Sequence, residues 1–494
     1  MLFAAATAAA APSAATVESG IRLVRLPSPA SPLVTIRLVF QVGAADDTPG
    51  KEGLAQLTAA ILGEGGTVKR TRSQVLDALY PMAAEIHWYG DKDTFVFTGT
   101  VHRDNLARFA DLLAEQILTP RFGNEDFTRL KQDALDGITK TLRGHDDENL
   151  GKQALATLLY PGHPYGHPTL GTVTGLRAAS LDDVKRFYVE HFARDRLMVG
   201  VAGGYPEEFP AAYAARFAAL PATGKARVPL PPAPTQAGLR LLMVEKPSLG
   251  NAISLGHPLT VTRRDDDFYP LFVAASYLGE HRTFTGVLML NMRQKRGLNY
   301  GDYAYVENLI QSGWSTFPLP NIPRRQQHFE IWLRPVPLAS AGFAIRQAIY
   351  ETDKLIREGI PAEGFAATRQ FLSNYVNLWA QDGSRRLGYA IDAEIYGKDI
   401  ISELKARLPR MTKDEVDRAV RRHLSTKNLA VVVVGDKVTL LAAALTAGRP
   451  TPIVYDTKDT PAAVLAEDAI IEKVPLPISA GAIKIVSAKN LFEK

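Results

Sequence analysis

The chain has 494 residues, 46% of them hydrophobic and 22% charged, and carries no cysteine. That composition belongs to a globular protein with apolar cores and excludes a disordered or fibrous chain; the missing thiols exclude disulfides, thiolate nucleophiles and cysteine-ligated zinc. The net charge of +5 comes from scattered Lys and Arg with no dense basic run, which is the pattern of a solvated surface rather than of a nucleic-acid interface. The length exceeds what one core usually supports, so two or more domains are expected.

Residues 1–15, MLFAAATAAAAPSAA, are small and apolar with Ala-x-Ala options near Ala11 to Ala15. They read as the end of a secretory signal peptide, implying a periplasmic or secreted protein. The alternative is a flexible tail on a cytoplasmic protein, since a charged n-region is missing. No later run reaches the 18 or so uninterrupted apolar residues of a transmembrane helix. Val34, Ile36, Leu38, Phe40 and Val42 alternate up to Gly43 and predict a strand. A helix is expected near Glu52 to Leu62 and a strand over Phe95 to Val101. A helix capped by Asp104 then puts Leu106, Phe109, Ala110, Leu113 and Ile117 on one face and ends at Pro120. Another helix runs from Asn124 through Leu142. Strands and helices mix without strict alternation, which predicts an α+β fold rather than a doubly wound sheet.

An internal repeat organises the rest. DVKRFYVEHFARDRLMVGVAGG from Asp183 returns as EVDRAVRRHLSTKNLAVVVVGD from Glu415. At a constant offset of 232, Val184 matches Val416, Arg186 matches Arg418, His191 matches His423, Leu197 matches Leu429 and Gly203 matches Gly435. Each copy reads as a helix followed by an apolar strand that stops at Gly. Two homologous domains of mixed sheet packed with helices, each about 200 residues long, fit this pattern. They span 16–220 and 237–438, joined by the Pro-rich linker Pro221 to Gln236 and followed by a C-terminal extension, 439–494, of unassigned role.

The histidines make no obvious metal site. His163 and His167 are four apart, but the intervening Pro and Gly make the segment a loop, where helical spacing has no meaning. His87, His102 and His145 read as ordinary polar residues. No G-x-S-x-G elbow, P-loop or dinucleotide fingerprint stands in a suitable context.

The order of several segments carries a family resemblance. VGAADDTPGKEGLAQL (Val42 to Leu57), LTPRFGNEDF (Leu118 to Phe127) and YPGHPYGHPTLG (Tyr160 to Gly171) are similar to the first domain of the pitrilysin, insulinase and mitochondrial-processing-peptidase family. MRQKRGLNYG (Met292 to Gly301) and RLGYAIDAEIYG (Arg386 to Gly397) resemble its second domain. The resemblance implies a clamshell subunit that closes on an unfolded peptide. Active members carry H-x-x-E-H on the first helix: two His on one face bind zinc, the Glu acts as general base on the metal-bound water, and a later Glu is the third ligand. Here Gln56 and Ala60 stand at the His positions, Ala59 at the general base and Asp136 at the third ligand. Ala offers no donor and Gln is a poor zinc ligand, so this chain is expected to hold no metal and to have no peptidase activity alone. Trp88, on the strand that would face the site, either fills the vacated cleft or is an ordinary aromatic.

The family's substrate-binding Arg and Tyr, by contrast, have counterparts in Arg293 and Tyr300. An Arg fork and a Tyr hydroxyl suit a peptide carbonyl or a developing oxyanion; the plainer reading is a pair that ties the turn at Gly297 together. The resemblance therefore implies a non-catalytic subunit that pairs with a homologous zinc-containing peptidase subunit carrying H-x-x-E-H. A scaffolding homologue and a stand-alone peptide-binding protein are the alternatives.

Overall fold

The computed structural model describes residues 15–227, 229–235, 237–280, 285–310, 317–455, 459–478 and 481–494. The signal-peptide reading rests on residues that lie outside these. The first sheet contains β1 (Thr16–Glu18), β2 (Ile21–Pro27), β3 (Leu33–Phe40), β4 (His87–Gly90), β5 (Phe95–His102) and β6 (Leu197–Gly203), in the order β1-β2-β6-β3-β5-β4. The second contains β7 (Arg240–Glu245), β8 (Asn251–Leu259), β9 (Asp302–Tyr305), β10 (Gln327–Val336), β11 (Ala430–Gly435) and β12 (Ile483–Ser487), in the order β12-β7-β11-β8-β10-β9. Both sheets are mixed: β2 runs parallel to β6, and β7 parallel to β11, among antiparallel neighbours. This is the α+β class that the sequence pattern predicts.

The repeat is visible in atomic detail. Ser180 and Asp183 cap the helix Leu181–His191 reciprocally, and Thr412 and Glu415 do the same for Lys413–His423, 232 residues on. The glycine closing each copy answers to a close approach. A Cβ on Gly203, whose φ is +114°, would overlap the Leu33 carbonyl, and one on Gly435 would overlap the Asn251 side chain.

Strict alternation in β3 implies one buried face, yet Thr35, Arg37 and Val39 are buried as well. The helix Gly383–Tyr396 of the second half lies across the outer face of the first sheet, setting Leu387, Ala390 and Ile391 against Val24, Val39, Met198 and Ala202. The exchange is mutual. The helix Asp147–Leu159 of the first half covers β8 and β11 through Leu150, Ala154 and Leu155. Two further expectations are corrected. Asp104 does not cap a helix: it sits in a short 3-10 turn, Arg103–Asn105, and its N–H donates to the His102 ring before the helix Leu106–Leu118 begins. The helix from Asn124 is α-helical only to Asp136 and continues as a π-helix over Gly137–His145.

The C-terminal extension is part of the architecture. β12 closes one edge of the second sheet, as β1 does in the first. The last residues then return to the first half, where the N–H groups of Val173 and Thr174 donate to the carbonyls of Phe492 and Glu493 at 2.9 Å. No helix among the described residues is long and apolar enough to cross a membrane.

A buried ionic seam fastens the halves together. The β4–β5 turn, Asp91 to Thr94, is almost fully enclosed. Arg324 of the second half donates both ends of its guanidinium to Asp91, at 2.6 and 3.0 Å. Arg325 donates to Asp93 at 3.0 Å, and Arg227 of the linker reaches Asp93 at 2.7 Å and Asp46 at 3.0 Å. Asn321 is wholly buried, accepting from Arg37 at 2.8 Å on its side chain and from the Thr94 hydroxyl at 2.7 Å on its carbonyl. Burial alone would weaken the Arg324 charge, but Asp91 more than offsets this and holds it protonated.

Candidate functional site

The helix that the resemblance would give to zinc is Leu54–Glu64. Asp47 starts it, accepting from the N–H groups of Gly53 and Ala55 at 2.8 and 2.7 Å. Gln56, Ala59 and Ala60 fall on one face, at i, i+3 and i+4. Ala59 and Ala60 are buried, and the Gln56 amide oxygen is enclosed without a hydrogen-bond partner among the described residues. Asp136 ends a helix packed against this one. Its two oxygens accept from Lys140 at 2.6 Å and Gln132 at 2.9 Å, and the Lys140 bond holds its carboxyl below the ordinary range. One amide oxygen, two methyl groups and a committed carboxylate do not fit a catalytic zinc, which needs three deprotonated donors around one point.

Trp88 stands beside this face. Its indole packs closely on Gly63, where any Cβ would overlap the ring, and its N–H donates to Glu64 at 2.9 Å. Gly63 is one turn beyond Ala59, so the aromatic covers the C-terminal end of the same stripe.

Arg293 and Tyr300 flank a tight reversal. Arg293 closes the π-helical turn Met289–Gln294. Gly297 then takes a left-handed φ of +62°, with its N–H on the Arg293 carbonyl and the Leu298 N–H on that of Met292. The reversal brings the Arg293 guanidinium over the Tyr300 ring, 4.6 Å from its centroid, and Arg334 approaches the same ring at 5.4 Å. Tyr300 is 66% exposed. Arg334 is in turn paired with Glu148 of the first half at 3.3 Å. Tyr300 is thus exposed at one rim of the second sheet, with the half-buried Arg293 stacked on its ring.

Beneath them lies Asp302, wholly buried, accepting from Asn299 at 2.6 Å on one oxygen and unpartnered on the other among the described residues. Burial pushes its carboxyl up to about 7, against the pull of Asn299 and Arg293. The native state keeps this proton up to about pH 7, whereas the unfolded chain releases it near 4, so the carboxyl's contribution to stability is lost as pH rises through 7. Asp302→Asn retains an acceptor for Asn299 but cannot ionise. Its stability relative to the parent should rise by roughly 2–3 kcal/mol between pH 5 and pH 8. Denaturant melts at the two pH values measure this; a constant difference would show that Asp302 is ionised throughout.

The two sequence-derived groups remain apart. No hydrogen bond, ion pair or ring contact among the described residues joins Gln56 or Asp136 to Arg293 or Tyr300. Sequence reading missed Arg334, Glu148 and Asp302. Their signal was weak: in QHFEIWLRPV the residues His328, Glu330, Trp332 and Arg334 share the polar face of β10, which looks like a solvated face until the helix Asp147–Leu159 covers it. His163 has both ring nitrogens engaged, by the Tyr165 N–H and the Pro231 carbonyl.

Comparison with known proteins is consistent along the chain. Residues 23–173 match the family described as insulinase, peptidase family M16, and residues 178–370 match the peptidase M16 inactive domain. An uncharacterized zinc protease of Mycobacterium bovis is 23% identical over 87% of this chain and 94% of its own length. Another from Bacillus subtilis is 22% identical over 61% and 71%. Among solved structures, a peptidase M16 inactive domain from Pseudomonas fluorescens superposes with a TM-score of 0.76 at 20% identity, covering 87% of this chain and 98% of that one. A chain of the Candida albicans complex III dimer superposes at 0.68 with 14% identity, covering 85% and 95%.

Proposed function

Because this chain belongs to the insulinase family of peptidases, M16, we propose that it is the non-catalytic partner of a homologous zinc-containing subunit carrying H-x-x-E-H. In this reading zinc and the general base reside in the partner, and this chain offers Arg293 and Tyr300 to an unfolded peptide. The observation that carries the reading is the contrast between the two sites. The first helix offers no donor set for a metal, whereas an exposed Tyr300 and the half-buried Arg293 stacked on it stand on a built turn. The guanidinium presents a fork of donors and the phenol one more, groups that hold a peptide carbonyl and strengthen as its oxygen gains charge. Working on peptides outside the cytoplasm, in the periplasm or beyond the cell, fits the Ala-rich N-terminus.

The test is to co-express the chain with an H-x-x-E-H homologue and combine size-exclusion light scattering with metal analysis. The expected result is a heterodimer with about one zinc per pair, while the isolated chain carries no zinc and cleaves no peptide. Separate elution at micromolar concentration would remove the partnership. About one zinc in the isolated chain, with peptidase activity, would remove the non-catalytic assignment.

A further inference from the structure

A second feature of the seam is independent of that reading. Beside the β4–β5 turn lies a cavity of about 240 Å³ whose wall contains Arg22, Arg227, Arg264, Arg324 and Arg325 against one carboxylate, Asp93. Asp93 is already committed, accepting from Arg227, Arg325 and the Tyr165 hydroxyl. Three of the arginines are held in place by Asp46, Asp91 and Asp93, so their orientation is fixed before any ligand arrives. The other two differ. Arg22 and Arg264 are exposed and make no ion pair among the described residues; the Arg264 guanidinium donates to the Ile395 carbonyl, at 2.6 Å.

Arg22 comes from β2 of the first half and Arg264 from the second, so the cavity is walled from both sides of the seam. Five guanidinium groups stand against the three carboxylates of Asp46, Asp91 and Asp93, and an excess of positive charge in a cleft concentrates anions there. Guanidinium forks match the geometry of a tetrahedral oxyanion, each fork donating two hydrogen bonds to its oxygens. The volume falls below the roughly 300–1,000 Å³ of pockets that take drug-sized ligands, which favours a compact anion over a nucleotide.

We propose that this seam cavity is a binding site for a small free oxyanion of the phosphate class, which bridges Arg22 of one half and Arg264 of the other. The site lies away from Arg293 and Tyr300 and needs neither a partner subunit nor a metal.

Isothermal titration of the full chain with inorganic phosphate and with pyrophosphate, at constant ionic strength set by chloride, tests the proposal. Saturable one-site binding is expected, with a melting temperature that rises with anion concentration. The exposed pair Arg22→Gln and Arg264→Gln, made together, should weaken binding by about tenfold or more, since each removes a charge-assisted contact. The single variants, each with a melting curve matching the parent in chloride alone, should lose part of the affinity and so separate lost binding from lost folding. No saturable binding of either anion would overturn the proposal, as would equal affinity in the double variant. Binding of citrate in their place would overturn the phosphate class.

Discussion

Replacing Arg293 with Ala should lower kcat/KM of the reconstituted heterodimer by about ten- to a hundredfold or more. A charge-assisted or oxyanion-directed hydrogen bond contributes about 1.5–3 kcal/mol, and about 1.4 kcal/mol is tenfold in rate. Tyr300→Phe removes only the hydroxyl and keeps the ring on which Arg293 and Arg334 rest, so it isolates the bond from the stacking. Its loss should be similar or somewhat smaller. Neither change should prevent assembly or folding, because Tyr300 is largely exposed and Arg293 makes no ion pair among the described residues. A purely structural role for the turn predicts the reverse: weaker folding or pairing with activity per complex unchanged. Steady-state kinetics normalised to zinc content separates these outcomes. Full activity in both variants would favour a scaffolding subunit.

The largest effect on stability is expected at the seam. Asp91→Ala should destabilise the chain by about 3–5 kcal/mol, because it leaves the Arg324 guanidinium buried without its carboxylate. Asp91 also accepts from Thr169 at 3.0 Å and from Asn308 at 3.2 Å, so the loss reaches the loop before β10 as well. An exposed pair on one helix, such as Arg357 with Asp353, should contribute far less, because water screens both charges. Urea unfolding of the two Asp→Ala variants side by side measures the contrast; equal small losses would mean that water reaches Arg324.

Much of the fold was legible because it repeats. The matched helix and strand at offset 232 announced two homologous units, and hydrophobic periodicity marked β3, β5 and the helix Leu106–Leu118. Features set by contact across the seam were not legible. The burial of Asp91 to Asp93 against the Arg324–Arg325 pair leaves no local signal, since nothing in either segment reveals that the two, more than 200 residues apart, enclose each other. The same holds for Arg37 on a core strand, whose partner Asn321 comes from a distant loop. At the candidate site, the family pattern pointed to Gln56, Ala59, Ala60, Asp136, Arg293 and Tyr300, and Gly297 told where the chain reverses. The stacking of Arg334 and the burial of Asp302 depend on β9 and β10 pairing, which no short motif encodes.

The exchanged helices have a consequence for how the protein is made. The first sheet is complete as a hydrogen-bonded unit once β6 ends at Gly203, but the helix that covers its outer face ends at Tyr396. About 190 further residues must leave the ribosome before Val24, Val39 and Met198 lose their contact with water. At about 5–20 residues per second this is a delay of roughly 10–40 s, during which an apolar sheet face is open to any chaperone or neighbouring chain. The nascent chain therefore passes through a long stage at which its first half is built but sticky, and release from that stage awaits the second.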